Sequence, residues 1–254
     1  MSSAPEPLKV IGILRSCFRE KFGTPRQPHL VPGATASLKI ARQYQPEQSL
    51  VGLDGFTYVW LISYFHLNTN TRFSAKVHPP RLKGETIGLF ASRSPHRPSP
   101  IGLSLARLVK VEGDTIFLSG IDLVDGTPIL DVKPYIPDSD CRPDATAGWT
   151  AHAPFPTLAV EFSPKALKDI ELAEKRLKAF GLRQLLSDIL SQDLRNPRDK
   201  SQGKDGVELG FFLHDFDAHF VVHGGTITVL ELQTGGTMHK KERRAPPKRV
   251  ALKS

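Results

Sequence analysis

The chain has 254 residues, 39% of them hydrophobic, enough to bury an ordinary core in one large domain or two small ones. A formal net charge of +8 suits a polyanionic partner. The only two cysteines, Cys17 and Cys141, argue against a disulfide framework or a cysteine zinc site and fit a reducing cytoplasm. Residues 1–14 lack a basic segment ahead of a signal-length apolar run, so no signal peptide is expected. The most apolar stretch, 56–65, is too short to span a bilayer, so no membrane contact is expected.

Three regions follow in chain order. The first, 8–149, reads as short strands at 10–14, 36–41, 58–65, 103–111, 115–121 and 128–134, separated by Gly/Pro/Asp turns. Gly113-Asp114 sits where a hairpin turn belongs. Many strands with few helix signals predict a β-barrel or sandwich. The second region, 155–233, predicts a helix opened by Ser163-Pro164. Its apolar stripe is Ala166, Leu167, Ile170, Ala173, Leu177 and Phe180, with Gly181 as the stop. A second helix is expected over 183–194, then strands at 207–213, 219–223 and 226–232, with Gly224-Gly225 turning the last pair. This is a small α+β domain of two helices and three strands. The third region, 234–254, carries seven Lys/Arg against one Glu, a charge of +6. It is expected to be a disordered tail, either RNA-binding or solubilising.

The chain has no GxGxxG after a predicted strand, no GxxxxGK[ST] and no HExxH. His214, His219 and His223 lack the carboxylate or cysteine spacing of a metal site, so no metal is expected. Four other segments hold polar residues in stiff Pro/Gly-controlled loops. In 21–28, prolines flank Arg26 and Gln27, which suits either recognition of a planar ligand or an ordinary solvated turn. His66 and Leu67 follow the apolar strand, where a histidine is either a ligand contact or structural. In 92–103, prolines and a glycine hold Arg93, His96 and Arg97 in a loop leading into a strand, a setting typical of binding groups. In 123–135, Asp125-Gly126 marks a turn, and Asp131, Lys133 and Tyr135 then alternate on one strand face. They form either a site or a local ion-pair face.

The words KFGTPRQP, GLFASRSPHRPSPIGLSLARL and LSGIDLVDGTPILDVKPYIPDSD, with QDLRNPR and FFLHDFDAHF further on, resemble the TrmO (TsaA-like, YaeB-like) family over nearly the whole chain up to Leu232. Where the family word reads QDPRP, this chain has Leu194 and then Asn196-Pro197. The resemblance implies a non-Rossmann methyltransferase: an N-terminal β-barrel that binds S-adenosyl-L-methionine, usually as a homodimer with the cofactor near the subunit interface. The substrate it implies is tRNA, at N6 of threonylcarbamoyladenosine beside the anticodon. Carried over by motif, the cofactor contacts fall on Pro25, Arg26, Gln27, His66, Leu67, Arg93, Leu103, Val124, Asp125, Gly126 and Thr127. Asp131 and Tyr135 are candidates to handle the N6 proton, and Arg97 and Lys133 to neutralise the threonyl carboxylate, with Lys133 also counted among the catalytic group. Two alternatives stand beside this reading. One is a basic RNA-binding barrel without chemistry. The other is an S-adenosylmethionine enzyme acting on another nucleotide.

Overall fold

The computed structural model describes residues 8–69, 72–82, 84–155, 157–178, 180–195 and 205–234. The expected tail therefore lies outside the described residues, Thr234 excepted. The chain divides into two compact units. One comprises 1–16, 26–77 and 87–146; the other comprises 17–25, 78–86 and 147–254.

In the first unit the alternating segments become β1 (Gly12–Ser16), β2 (Thr35–Ile40), β3 (Tyr58–Tyr64), the two-residue strands β4 (Lys76–Val77) and β5 (Ile87–Gly88), then β6 (Ile101–Glu112), β7 (Thr115–Ser119) and β8 (Pro128–Pro134). A single helical turn, α1 (Pro46–Ser49), precedes β3, and another, α2 (Pro137–Asp140), follows β8. Six strands close into a barrel of order β1-β2-β7-β6-β3-β8, every neighbour antiparallel. Closure decides for a barrel over a sandwich and leaves no unpaired sheet edge. Alternate residues fill the interior: Leu14, Leu38, Val59, Leu61, Ala106, Leu108, Ile116, Leu118 and Ile129. β8 breaks the alternation once. Ser63 pairs with Ile129 but Ile62 pairs with Asp131, so Leu130 is an extra residue. Beyond this bulge Val132 faces the core, and Asp131 and Lys133 lie on the opposite, outer face.

The second unit contains β9 (Ala159–Phe162), α3 (Pro164–Leu177), α4 (Leu182–Leu190), β10 (Leu209–Leu213), β11 (Phe216–His223) and β12 (Thr226–Thr234). The sheet order is β10-β11-β12-β9, with β9 parallel to β12. Four strands replace the expected three, because β9 is too short and too closely bounded by prolines to be read locally. Ser163 caps α3 by accepting a 3.0 Å hydrogen bond from the Ala166 amide. The helix ends earlier than expected, at a left-handed Lys178. Phe180 is consequently 97% exposed instead of lining the buried face. Gly181, expected to stop α3, instead precedes α4. Two segments from the first region belong to this unit. Phe18 pairs with Leu213 beside a core of Phe211, Phe216 and Phe220, and Arg81 donates to the Ala153 and Thr150 carbonyls while stacking on Phe155 at 4.1 Å.

Candidate cofactor site at the barrel rim

Antiparallel closure gathers six strand ends at one rim: the C-terminal ends of β1, β7 and β3 and the N-terminal ends of β2, β6 and β8. The loops at this rim carry Arg26 and Gln27 between β1 and β2, His66 and Leu67 after β3, Arg93 before β6 and Val124–Thr127 before β8. Leu103, the third residue of β6, points outward at the same rim and is 56% exposed. Strand order alone converges these five separate segments. Pro25 groups with the second unit.

The rim loops are held by their own hydrogen bonds. The Thr127 amide and hydroxyl both donate to the Val124 carbonyl, at 3.2 and 2.6 Å, closing a turn in which Gly126 takes φ +81°. Nothing lies within 4 Å of where a Gly126 Cβ would stand, so backbone conformation and not crowding favours glycine, and the turn is open to a ligand. Asp125 Oδ1 accepts from the Ser16 amide at 3.1 Å, which ties the turn to the end of β1. Arg93 Nη1 donates to Gln27 Oε1 at 2.8 Å and joins two of the loops. Arg97 braces its own loop, donating to the Ser92 carbonyl at 2.8 Å and lying over Phe90. Asn68 clasps the same loop from the β3 side: its Nδ2 donates to the Pro95 carbonyl, and its Oδ1 lies 2.8 Å from His96 Nδ1.

Inside the mouth the lining turns polar. Ser63, Ser104 and Thr127 are buried there. Ser63 Oγ has no hydrogen-bond partner among the described residues, and a Cβ at Gly102 would collide with it and with the Phe65 ring. Asp122, half-buried, accepts a 2.6 Å hydrogen bond from Ser104 Oγ. Burial pushes its carboxyl up to about 6, against the opposing pulls of Ser104 and Arg93.

The β8 residues lie apart from this cluster. Lys133 Nζ sits 2.9 Å from Asp131 Oδ2, while Asp131 Oδ1 accepts from the Val132 amide. Tyr135 packs on Tyr58 and Trp60, with ring centroids 6.4 and 6.0 Å away. Burial, then neighbouring Cys141 and Asp140, raise its phenol pKa above the ordinary value. Eight residues separate Tyr135 from Thr127, roughly 26 Å along an extended strand, so it stands at the far end of the barrel.

Asn68, Ser104 and Asp122 were not singled out from the sequence. One of them does leave a trace there. Ser104 occupies an inward position between Gly102 and Ala106, and a polar residue where the period-two pattern calls for an apolar one marks a special site, whereas Asp122, between buried Ile121 and Leu123, stands where alternation expects a polar residue. In the second unit His219 Nδ1 lies 2.7 Å from Glu208 Oε1, and no group of three or more metal-ligating side chains gathers among the described residues.

Comparison with known proteins bears on what the rim does. The family model for the tRNA-methyltransferase O N-terminal domain matches residues 13–141, and that for the TrmO C-terminal domain matches 156–235. A tRNA (adenine(37)-N6)-methyltransferase of Escherichia coli is 36% identical over 88% of this chain and 96% of its own length. A Pseudomonas aeruginosa protein, RcsF, named as an S-adenosylmethionine-dependent methyltransferase, is 42% identical over 83% of this chain and 90% of its own. The mouse tRNA (adenine(37)-N6)-methyltransferase is 54% identical over 51% of this chain, a match that spans only 31% of the mouse protein. A crystal structure of TrmO aligns with a TM-score of 0.76 at 36% identity, covering 91% of this chain and all of that one.

Proposed function

The chain belongs to the TrmO family, and from that premise we propose that it transfers the methyl group of S-adenosyl-L-methionine to N6 of threonylcarbamoyladenosine at position 37 of tRNA, in the cytoplasm. The observation that carries this reading is the convergence at one barrel rim of Arg26, Gln27, His66, Leu67, Arg93, Leu103 and the Val124–Thr127 turn.

The donor set fits the cofactor. Arg26 and Arg93 suit its carboxylate, Gln27 suits the adenine edge, the exposed Leu67 and Leu103 suit the ring face, and the open Gly126 turn admits close backbone approach. Pro25 stiffens the approach to Arg26. When bound, the cofactor supplies an activated methyl group. The chain's part is to hold the adenosine in line and to manage its proton. The carbamoyl group makes N6 a poorer nucleophile and a better acid, so a proton acceptor is needed. Asp131 is our choice. Tyr135, its pKa raised, stays protonated at neutral pH and donates a hydrogen bond instead. Lys133 would exchange its Asp131 partner for the threonyl carboxylate, with Arg97 contributing from its braced loop.

We assign a homodimer to the outer face of β3 and β6, where Tyr64 and Ile101 pair and, with Leu103, leave apolar surface exposed. Tyr135 is too far along its own strand to reach the rim of the same chain, so a second copy is its route to the reacting atoms. Purified protein, cofactor and threonylcarbamoylated tRNA, followed by nucleoside mass spectrometry, test the reaction. A methylated nucleoside is expected, with plain adenosine at position 37 a poor substrate. Arg93→Ala should weaken cofactor binding about ten- to a hundredfold in a folded barrel. Absence of product from a chain that binds the cofactor, or equal methylation of unmodified tRNA, would overturn the reading.

A further inference from the structure

One side chain of the rim loops has no part in the reading above. His96 stands exposed in the loop before β6, between Arg93 and Arg97. Asn68, which follows β3, donates from Nδ2 to the Pro95 carbonyl at 3.0 Å, and its Oδ1 lies 2.8 Å from His96 Nδ1. A carbonyl can only accept, so Pro95 fixes the Asn68 amide with its oxygen toward the ring. That oxygen can only accept as well, so Nδ1 is the nitrogen that carries the proton in the neutral imidazole. Nε2 is left with its lone pair. It has no hydrogen-bond partner among the described residues. The backbone holds the ring in place: the His96 amide donates to Ser94 Oγ at 3.3 Å, and the Arg97 amide to the Pro95 carbonyl at 3.0 Å. His96 is thus a fixed acceptor at the mouth, where its neighbours Arg93 and Arg97 can only donate.

The proposed substrate offers a matching donor. Its threonyl group carries a carboxylate, assigned above to Arg97 and Lys133, and a hydroxyl on the adjoining carbon. Neighbouring residues of one loop can therefore read neighbouring groups of one side chain. We propose that His96 is a specificity-determining residue: its Nε2 accepts a hydrogen bond from the threonyl hydroxyl, and Asn68 is the positioning residue that keeps this nitrogen free to accept. This rests on threonylcarbamoyladenosine being the substrate, with Asp131 serving the N6 proton. An acceptor left unpaired is what rejects an acyl group that lacks the hydroxyl.

Two tRNAs test this on the full chain, one bearing threonylcarbamoyladenosine at the target position and one bearing the 2-aminobutyryl analogue, which lacks only the hydroxyl. The wild type should favour the threonyl substrate about tenfold in kcat/KM, the worth of one hydrogen bond. His96→Ala should methylate the two alike, with its S-adenosylmethionine affinity, read by calorimetry, showing that the barrel is folded. Nitrogen-15 NMR of the wild type, with the ring neutral, needs no variant and should find the His96 proton on Nδ1. In Asn68→Ala the proton should shift toward Nε2. Equal methylation of the two tRNAs by the wild type, a preference kept by His96→Ala, or a His96→Ala chain that binds the cofactor but methylates neither tRNA would each overturn the proposal. So would a wild-type proton on Nε2, or one that Asn68→Ala does not move. A wild-type chain that methylates neither tRNA would instead overturn the substrate reading beneath it.

Discussion

Charged side chains in the second unit close on one another, whereas Asp122 and Arg93 at the barrel rim bond to uncharged partners. Arg195 meets both oxygens of Asp193, at 2.9 and 3.2 Å, and reaches Asp205 at 3.0 Å. Asp193 is 5% exposed and adopts a left-handed backbone, φ +51°. Lys165 is likewise shared between Asp169 and Glu231. Each such charge is matched on the spot, which suits a structural lock. At the rim Asp122 takes its hydrogen bond from uncharged Ser104, and Arg93 gives its own to uncharged Gln27. The comparison teaches that a charge matched by an opposite charge holds a fold, while one bonded to neutral partners is available to a ligand.

The comparison can be broken most sharply at Asp193. Asp193→Ala leaves Arg195 nearly buried with only the half-exposed Asp205 as partner, and should cost about 3 kcal/mol of stability in urea unfolding. Cofactor affinity should change less than twofold. A larger loss of affinity would mean that the lock also serves the site.

Asp122 gives an effect of similar size and opposite sign. Its carboxyl is raised from 3.8 to about 6 in the folded barrel, so folding favours its protonated form. That contribution is fully present below pH 4 and is lost as pH rises through 6, a difference of roughly 3 kcal/mol by pH 7. The stability advantage of Asp122→Asn should therefore open between pH 4 and 6 and stay constant above. A gap that does not vary with pH would show that the carboxylate is not buried at the cost described.

On β8, Asp131→Ala should lower the single-turnover rate at saturating tRNA about a hundredfold, with unchanged salt dependence of binding. Tyr135→Phe keeps the ring packed on Tyr58 and Trp60 and removes only the hydroxyl. An unchanged rate for Asp131→Ala would leave the Asp131–Lys133 pair as a surface ion pair, the same kind of closed contact that fills the second unit. The smallest effect is expected from deleting residues 235–254, which removes a charge of +6. Binding to tRNA should weaken at low salt and converge with wild type as ionic strength rises, while the saturated rate holds. A collapsed saturated rate would place the tail in the site.

Most strands and turns of the barrel were legible because their signals are local. Tyr58–Tyr64 alternates, Gly113 turns the β6–β7 hairpin, and Gly224-Gly225 turns β11 into β12. The motif words also identified the rim residues. The helix stripe misled at Phe180, since periodicity continues past a backbone that has already turned at Lys178. Asp131 and Lys133 read as a site ahead of a local ion-pair face, and only their 2.9 Å contact shows that they pair.

By itself, then, the sequence determined what a few neighbouring residues decide: strand period, turn glycines, the Ser163 cap and the family to which the motifs belong. Tertiary structure alone decided which strands pair, because partners such as Ser16 and Asp125 lie 109 residues apart and meet only when the barrel closes. It decided that β9 joins β12 in parallel, that residues 17–25 belong with the second unit, and that a bulge at Leu130 sends Asp131 outward. It also set Asp122 against Ser104. Pairing over such separations depends on packing and loop closure across the whole chain, which no local window contains.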